Sequence, residues 1–187
     1  TAGFFVCGFH VSFIAVHLPS FAVDRGLDPS IGASALFLVG LFNILGSYSW
    51  GRAGGRFSKK RLLSALYLSR AVVIGVFYLM EPSATLVLVF AAVMGLLWLG
   101  TVPLTSGLVG QIFGVRYLST LFGIVFFSHQ IGGFLGAWTG GYIYDATGSY
   151  NLMWLFSIAL GVASAALHWP IDDAPMRRRT SLAAAGA

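Results

Sequence analysis

The sequence predicts an all-α integral membrane protein with six transmembrane helices. Of its 187 residues, 57% are hydrophobic and only 9% are charged, whereas soluble domains carry about 25% charged residues. Six apolar runs approach the roughly 20 residues that a helix needs to cross a bilayer. They cover residues 2–22, 31–50, 62–80, 84–107, 118–141 and 151–169. Runs of this length exclude a β-barrel, whose strands alternate over about 10 residues.

The positions of Lys and Arg predict the orientation in the membrane. Nine of the 11 basic residues fall in the link after the second run, the link after the fourth run and the tail. Basic residues concentrate in cytoplasmic loops, so we expect these segments on the cytoplasmic side of a plasma membrane or bacterial inner membrane. We assign residues 1–170 to one transmembrane domain and predict that 171–187 form a disordered basic tail.

The composition also excludes several classes of function. The net charge of +5 does not indicate nucleic-acid binding, because the cations cluster at helix ends rather than on a soluble surface. The single cysteine, Cys7, excludes an intrachain disulfide and a cysteine metal cluster, and its apolar run predicts a small buried residue. No enzyme or metal motif is present, so we expect neither catalysis nor a cofactor. No Asp or Glu lies in any of the six runs, and the intramembrane groups therefore favour an anionic partner.

The fifth run holds the strongest candidate for a functional residue. His129 lies near its middle, about 16 Å along the helix axis from Leu118. Gly132, Gly136 and Gly140 follow on the same face, so another helix or a ligand can come close. An imidazole with an ordinary pKa near 6.5 can carry a proton at physiological pH. Gln130 is a second candidate, but it points about 100° away and is not expected to share the same ligand.

Two histidines on the first run allow two interpretations. His10 and His17 are seven residues apart and share a helix face. They either line a substrate pathway or make hydrogen bonds to neighbouring helices. We include His10 among the substrate-binding candidates and His17 as a secondary one.

Polar residues on the other runs allow similar alternatives. Asn43 either bridges helices or contacts substrate. Arg70 lies about 13 Å beyond Arg61. Its long side chain could reach part of the way to the cytoplasmic surface, pair with carbonyls freed by a broken helix, or pair with an anionic substrate. A structural role is favoured over contact with the substrate. Thr101 and Thr105 share a face of the fourth run and are candidates for substrate contact. Their hydroxyls could also hydrogen-bond the backbone carbonyl that Pro103 frees.

Three stretches resemble the major facilitator superfamily. WGRAGGRFSKKRLL, residues 50–63, is similar to the cytoplasmic glycine–basic loop that the superfamily repeats in both halves. GQIFGVRYLSTLFGI and GGYIYDATGSYNLMW, residues 110–124 and 140–154, resemble the monocarboxylate and oxalate/formate-type branch. The resemblance implies the C-terminal six helices of a twelve-helix carrier. It also implies a conformational role for the loop residues, which are Gly51, Gly55, Arg56, Lys59 and Lys60.

The loop departs from the superfamily pattern at one position. Gly55 stands where an acidic residue often precedes the arginine, so the charge relay proposed for that loop is not expected in the same form. The resemblance further implies that the first, second, fourth and fifth runs line a central cavity. This places His129 in the cavity and argues against Arg70 as a direct ligand.

These observations together predict a secondary carrier for a small organic anion such as a monocarboxylate. We expect transport by alternating access, coupled to a proton or to a counter-substrate. The rate of transport should rise in mild acid. The chain begins at Thr1 without a Met, so we expect it to be a fragment that lacks an N-terminal six-helix half. The alternatives are a carrier of another solute such as a drug or metabolite, a non-transporting scaffold half, and a redox protein with histidine ligands.

Overall fold

The computed structural model describes residues 1–176, which form a bundle of α-helices. In chain order these are α1 (Ala2–Asp24), α2 (Pro29–Gly54), α3 (Lys59–Leu79), α4 (Ala84–Leu97), α5 (Thr101–Phe113), α6 (Leu118–Thr147) and α7 (Asn151–His168). A short 3₁₀ helix, Val115–Tyr117, precedes α6. No strand occurs in this part of the chain.

Local sequence explains where several helices begin and end. Asp28 caps α2 by accepting a 2.8 Å hydrogen bond from the backbone N–H of Ser30, and Pro29 occupies the first helical position. Ser83 caps α4 through the N–H of Leu86. α6 ends at Gly148, whose φ of 65° is the left-handed conformation that glycine adopts without strain.

Six helical segments are long and apolar enough to cross a membrane. They are the helices α1, α2, α3 and α7, the α4–α5 pair as Ala84–Phe113, and the segment Val115–Thr147 that contains α6. The predicted all-α membrane fold is therefore confirmed, and the chain is an integral membrane protein. The fourth helical segment extends six residues beyond the predicted end at 107, and it is interrupted at residues 98–100.

The bundle is built from three closely packed helix pairs, which are α1 with α6, α2 with α4, and α3 with α7. Glycine makes the first pair possible. A Cβ at Gly132 would overlap the carbonyl of Phe5, and one at Gly136 would overlap the carbonyl of Phe9. The predicted glycine face of the fifth run thus receives another helix, α1.

Aromatic side chains fill the core between these pairs. One cluster contains Phe13, Phe21, Phe77, Phe90 and Trp154, which are buried and meet mostly edge to face or tilted. α6 contributes little side-chain volume. Its buried residues are Val125 and the glycines 132, 136 and 140, and it leaves Phe127, Phe134, Trp138 and Tyr142 exposed.

Part of the glycine–basic loop is helical in the structure. Gly51, which the sequence placed in the loop, lies with Gly54 in the last turns of α2. A Cβ at Gly54 would come within 2.8 Å of the Leu104 side chain, so this glycine lets α2 pack on α5. The connection itself is short, and Gly55 adopts a right-handed conformation with a φ of −76°. Arg56 is exposed on it.

The first residues of the predicted tail are held against the bundle. Lys60 Nζ donates to the carbonyl of Ile171 at 2.6 Å and lies 3.5 Å from the Asp173 carboxylate. Gln111, which also accepts from Lys59 Nζ at 3.0 Å, donates to the carbonyl of Asp173. Residues 171–176 thus contact the bundle without forming a helix or strand. Residues 177–187 of the predicted tail, with Arg177, Arg178 and Arg179, lie outside the described residues. These contacts lie at one end of the bundle, where the beginning of α3, the end of α5 and the beginning of the tail meet.

Candidate functional site

The interruption between α4 and α5 organises the polar groups inside the bundle. α4 ends at Leu97 and α5 begins at Thr101. Pro103, two residues into α5, has no N–H to donate to the carbonyl of Leu99, which instead accepts from Val102 N–H at 2.9 Å. The carbonyls of Leu97 and Trp98 at the end of α4 are bonded by a side chain from another helix.

That side chain is Arg70 on α3. Its Nε and Nη2 donate to the carbonyl of Leu97 at 3.0 and 2.6 Å, and Nη2 also donates to the carbonyl of Trp98. These bonds match one of the alternatives that the sequence left open, the pairing of Arg70 with carbonyls at a broken helix. Arg70 is 0% exposed, so in this structure no anion reaches it from the membrane or from solvent.

Residues of α2 hold the same interruption from the other side. Asn43 Oδ1 accepts from the backbone N–H of Leu99 and from the Ser47 hydroxyl, both at 3.1 Å. Trp50 Nε1 donates to the carbonyl of Leu96 at 3.0 Å. Asn43 therefore bridges two helices, as one of its two interpretations predicted.

His10 and His17 both hydrogen-bond to neighbouring helices. His10 is 0% exposed and donates from Nε2 to the carbonyl of Ser157 on α7 at 2.8 Å. His17 donates from Nε2 to the carbonyl of Ala137 on α6 at 2.8 Å, and its Nδ1 lies 3.3 Å from the hydroxyl of Tyr150. These partners match the packing alternative, so we leave both histidines out of the candidate site. Because His10 is turned to α7, it does not face His129 across a shared ligand.

His129 lies in a different setting, at the contact between α1, α5 and α6. The thiol of Cys7 on α1 is 3.1 Å from the Thr101 hydroxyl on α5, and Gly8, the residue after Cys7, packs directly on the backbone of His129. Cys7, Thr101 and His129 define the candidate site, which we call the His129 site. Thr105 lies one turn beyond Thr101 on α5 and is partly exposed.

Backbone contacts fix the position of His129 on α6. A Cβ at Gly8 would overlap the carbonyl of His129 itself, so α1 and α6 touch backbone to backbone at this level. The ring stacks on Phe126 at a centroid distance of 5.4 Å and lies 5.0 Å from the ring of Phe4. The two rings thus border the imidazole from α1 and from the preceding turn of α6.

Gln130 is closer to His129 than the sequence predicted. Its Oε1 lies 3.1 Å from His129 Nδ1, which donates to it. The two adjacent residues therefore share a hydrogen bond although their helix positions point apart. Gln130 is exposed and His129 half-buried, so the site opens on the outward face of α6 and presents an amide and an imidazole together.

Sequence reasoning missed the role of Cys7 and of the two phenylalanines. Cys7 was predicted only as a small buried residue, and its burial is confirmed. Its position beside Thr101 and His129 depends on the helix-pair geometry, which no sequence spacing encodes. A weak signal existed, because Cys7 and Phe4 are separated by one helical turn on the run that holds His10.

Comparisons with known proteins agree with this architecture. The chain is 28% identical over 166 residues to the uncharacterized MFS-type transporter YcxA of Bacillus subtilis, a match that covers 81% of this chain and 38% of the relative. It is 27% identical over 162 residues to Monocarboxylate transporter 12 of Rattus norvegicus, with 81% and 33% covered. Monocarboxylate transporter 13 of the same organism is 28% identical over 138 residues, with 73% and 32% covered.

The chain thus spans about a third of the length of the curated relatives that it matches. The family model described as Major Facilitator Superfamily matches residues 1–186. Together with six membrane-spanning helical segments, this match means that the chain belongs to the Major Facilitator Superfamily of membrane transporters.

Proposed function

We propose that this chain is one six-helix half of a secondary carrier for a small organic anion, such as a monocarboxylate. His129 is the residue that meets the anion, and Gln130, Thr101 and Thr105 are the polar groups beside it. Coupling to a proton or to a counter-substrate follows from the same imidazole, which can be neutral or charged near pH 6.5. A carrier of this kind binds and releases its substrate unchanged and is not an enzyme.

The observation that carries the proposal is the charge balance at membrane depth. The six acidic residues of the chain lie at helix ends, in the links and in residues 171–176. A cationic substrate would therefore find no carboxylate along the six spans. The available groups are an imidazole, an amide, a thiol and hydroxyls, and of these only the imidazole can carry a positive charge toward a carboxylate.

The exposed faces of the bundle support a missing second half. α2 and α6 leave large apolar side chains uncovered at mid-helix, including Phe37, Ile44, Phe134 and Trp138. The His129 site opens on this same α6, so a single bundle supplies only one wall. Rocking of two such halves about a site near the midplane is how carriers with internal repeats alternate access. We propose that an N-terminal six-helix half supplies the second wall.

The relatives and the basic segments support the remaining details. Two of the relatives are named monocarboxylate transporters, which favours a carboxylate substrate. The segments that carry Lys59, Lys60 and Asp173 meet at one end of the bundle. We place this end, and the tail that follows it, on the cytoplasmic side of a plasma membrane or bacterial inner membrane.

Uptake of ¹⁴C-labelled L-lactate tests the proposal. The protein is expressed from its complete reading frame in cells with low background uptake, and the initial rate is measured between pH 5.5 and 8. We expect saturable uptake that strengthens as the pH falls through the range where imidazole protonates. His129→Gln removes the titratable group and should lower the rate at pH 6 by about tenfold or more.

The matched control is His168→Gln, which makes the same substitution at the end of α7. It should leave uptake and its pH profile close to wild type. If His129→Gln and His168→Gln transport lactate equally well with the same pH profile, the site assignment is wrong. If wild-type protein at normal surface levels moves none of lactate, pyruvate, acetate or oxalate, the substrate class is wrong.

A further inference from the structure

Arg70 is the only arginine or lysine buried in the middle of a span among the described residues. It is 0% exposed, and the ion pair in residues 1–176, between Lys60 and Asp173, lies at the end of the bundle. Removing a guanidinium from water costs several kcal/mol. Because Arg70 contacts no solvent, other interactions in the fold must offset this free energy of desolvation.

The compensation comes from the end of α4. The last carbonyls of a helix carry the negative end of its macrodipole, equivalent to roughly half an elementary charge. Arg70 bonds two consecutive carbonyls there, those of Leu97 and Trp98, with one planar fork. A guanidinium fixes the direction of both carbonyls, whereas a lysine ammonium is a point charge that does not impose a plane.

The carbonyls that Arg70 fixes are close in sequence to a residue of the His129 site. Trp98 is three residues before Thr101, the first residue of α5. Thr101 is the residue whose hydroxyl lies 3.1 Å from the Cys7 thiol. Any rotation about the interruption would therefore change the distance from Thr101 to Cys7 and to His129.

The opposite side of the interruption is equally constrained. Asn43 holds the N–H of Leu99. A Cβ at Gly95 would approach the backbone of Val39, and one at Gly46 would overlap the backbone of Leu96, so α2 and α4 cannot shift past one another freely. The interruption is thus held between α2 and α3, and only its α5 side leads to the His129 site.

We propose that Arg70 is a positioning residue that fixes the angle between α4 and α5 and thereby sets the geometry of the His129 site without contacting the substrate. The transport consequence rests on the proposed function, whereas the geometric consequence does not. The native thiol of Cys7 reports on the geometry, because it is fully buried beside Thr101. A change at the interruption should expose it.

The experiment compares Arg70→Met and Arg70→Lys with Arg61→Met, an exposed arginine at the start of the same helix. Monodisperse protein, expressed from its complete reading frame and purified in detergent, is treated with N-ethylmaleimide. The modified Cys7 peptide is then followed by mass spectrometry. We expect alkylation about tenfold faster in Arg70→Met, an intermediate rate in Arg70→Lys, and the wild-type rate in Arg61→Met.

Lactate uptake provides the second readout. A loss of stability alone lowers the amount of active carrier and its maximal rate. A misplaced site also raises KM, by about tenfold for Arg70→Lys. If Arg70→Met does not fold, Arg70→Lys decides the outcome.

An Arg70→Lys protein with wild-type Cys7 alkylation and wild-type KM would overturn the proposal. Equal acceleration of alkylation in Arg61→Met would overturn it as well. If no variant and no wild-type sample transports lactate, the proposed function fails, but the alkylation rates still test the role of Arg70.

Discussion

The helix interruption at residues 98–100 and the His129 site each contain a basic side chain at membrane depth, and they treat it differently. Arg70 is completely enclosed and makes three hydrogen bonds, all to backbone carbonyls. His129 is half-buried on an open helix face, and its hydrogen-bond partner is the exposed amide of Gln130. Arg70 is enclosed and held by the backbone, with only its Nη1 lacking a hydrogen-bond partner, whereas His129 lies on an open face and keeps capacity for a ligand.

The difference separates structural from functional polar residues in a membrane bundle. Intramembrane charged groups are costly wherever they occur, so their presence alone does not indicate function. Function is indicated instead by the identity of the hydrogen-bond partners and by exposure, because donors that already meet backbone acceptors cannot also bind substrate. The same criterion removes His10 and His17 from the site, since both donate to main-chain carbonyls of other helices.

The largest effect is expected where the fold brings His129 to α1. Gly136→Val would drive side-chain atoms into the carbonyl of Phe9, and backbone cannot move aside as a side chain can. We expect a loss of about 3 kcal/mol in the free energy of unfolding. Gly123→Ala on the same helix is the control, because a Cβ there meets no described atom within 4 Å. Thermal unfolding in detergent distinguishes the two, and equal stability would contradict the packing of α1 on α6.

A smaller effect is expected at the interruption itself. Asn43→Leu leaves the N–H of Leu99 without its acceptor in an apolar environment, which should cost about 1–3 kcal/mol. Ser49→Ala removes an exposed hydroxyl from the same helix, one that bonds only the carbonyl of Leu45 in the preceding turn. It should change stability by less than about 0.5 kcal/mol. If chemical denaturation finds the two variants alike, Asn43 does not hold the interruption.

The His129 site is expected to contribute little to folding. His129→Gln keeps a polar side chain on a half-exposed face and should change the free energy of unfolding by less than about 0.5 kcal/mol, while it lowers the transport rate at pH 6 by about tenfold or more. If His129→Gln destabilises the protein as much as Asn43→Leu, then His129 has a structural role like that of Arg70, and the distinction between the two residues is wrong. The measurement is the unfolding midpoint at pH 7 in the absence of substrate.

The smallest effect is expected at the contact between the tail and α3. Burial raises the pKa of the Asp173 carboxyl, but the charge of Lys60 and the Ser58 hydroxyl lower it, and it lies below its ordinary value of 3.8. A carboxyl with a lowered pKa stabilises the fold above its ordinary pKa, and this contribution disappears as the pH falls through the lower value. The contact should therefore be constant between pH 5 and 8.

Asp173→Asn tests this contact. Spin labels on α3 and on residue 174 should report a slightly wider distance distribution in the variant at pH 7, and the difference should shrink in high salt because exposed ion pairs are screened. A difference between variant and wild type that instead grows with added salt would show that the Lys60–Asp173 pair is not its cause.

The sequence predicted more of the fold than of the site. Apolar run length was sufficient for six spans, because it follows from the thickness of the bilayer. The pairing of Arg70 with carbonyls of a broken helix was one of several alternatives that the sequence left open, because sequence spacing does not show which carbonyls a long side chain reaches. The position of the break, upstream of Pro103 at residues 98–100, depends on contacts from α2 and α3.

The sequence named His129, Gln130, Thr101 and Thr105 as candidates, but not the contacts among them. His129 stands out from sequence because it is titratable, lies at mid-span and precedes a glycine face. Its neighbours Cys7 and Phe4 could not be assigned, since their proximity comes from the register between α1 and α6. Phe126 lies one turn before His129 on α6, so helical spacing accounts for that contact. Helical spacing also placed Gln130 away from His129, whereas two flexible side chains bring their polar atoms to 3.1 Å.

The most direct test of the central claim is whether anion binding depends on His129. The unfolding temperature of purified protein is measured with increasing L-lactate for wild type, His129→Gln and His168→Gln. A ligand that binds only the folded state stabilises it by about 2.7 kcal/mol at 100 times its Kd. We predict that lactate raises the unfolding temperature of wild type and His168→Gln and leaves that of His129→Gln unchanged. An equal rise in all three proteins would contradict the account.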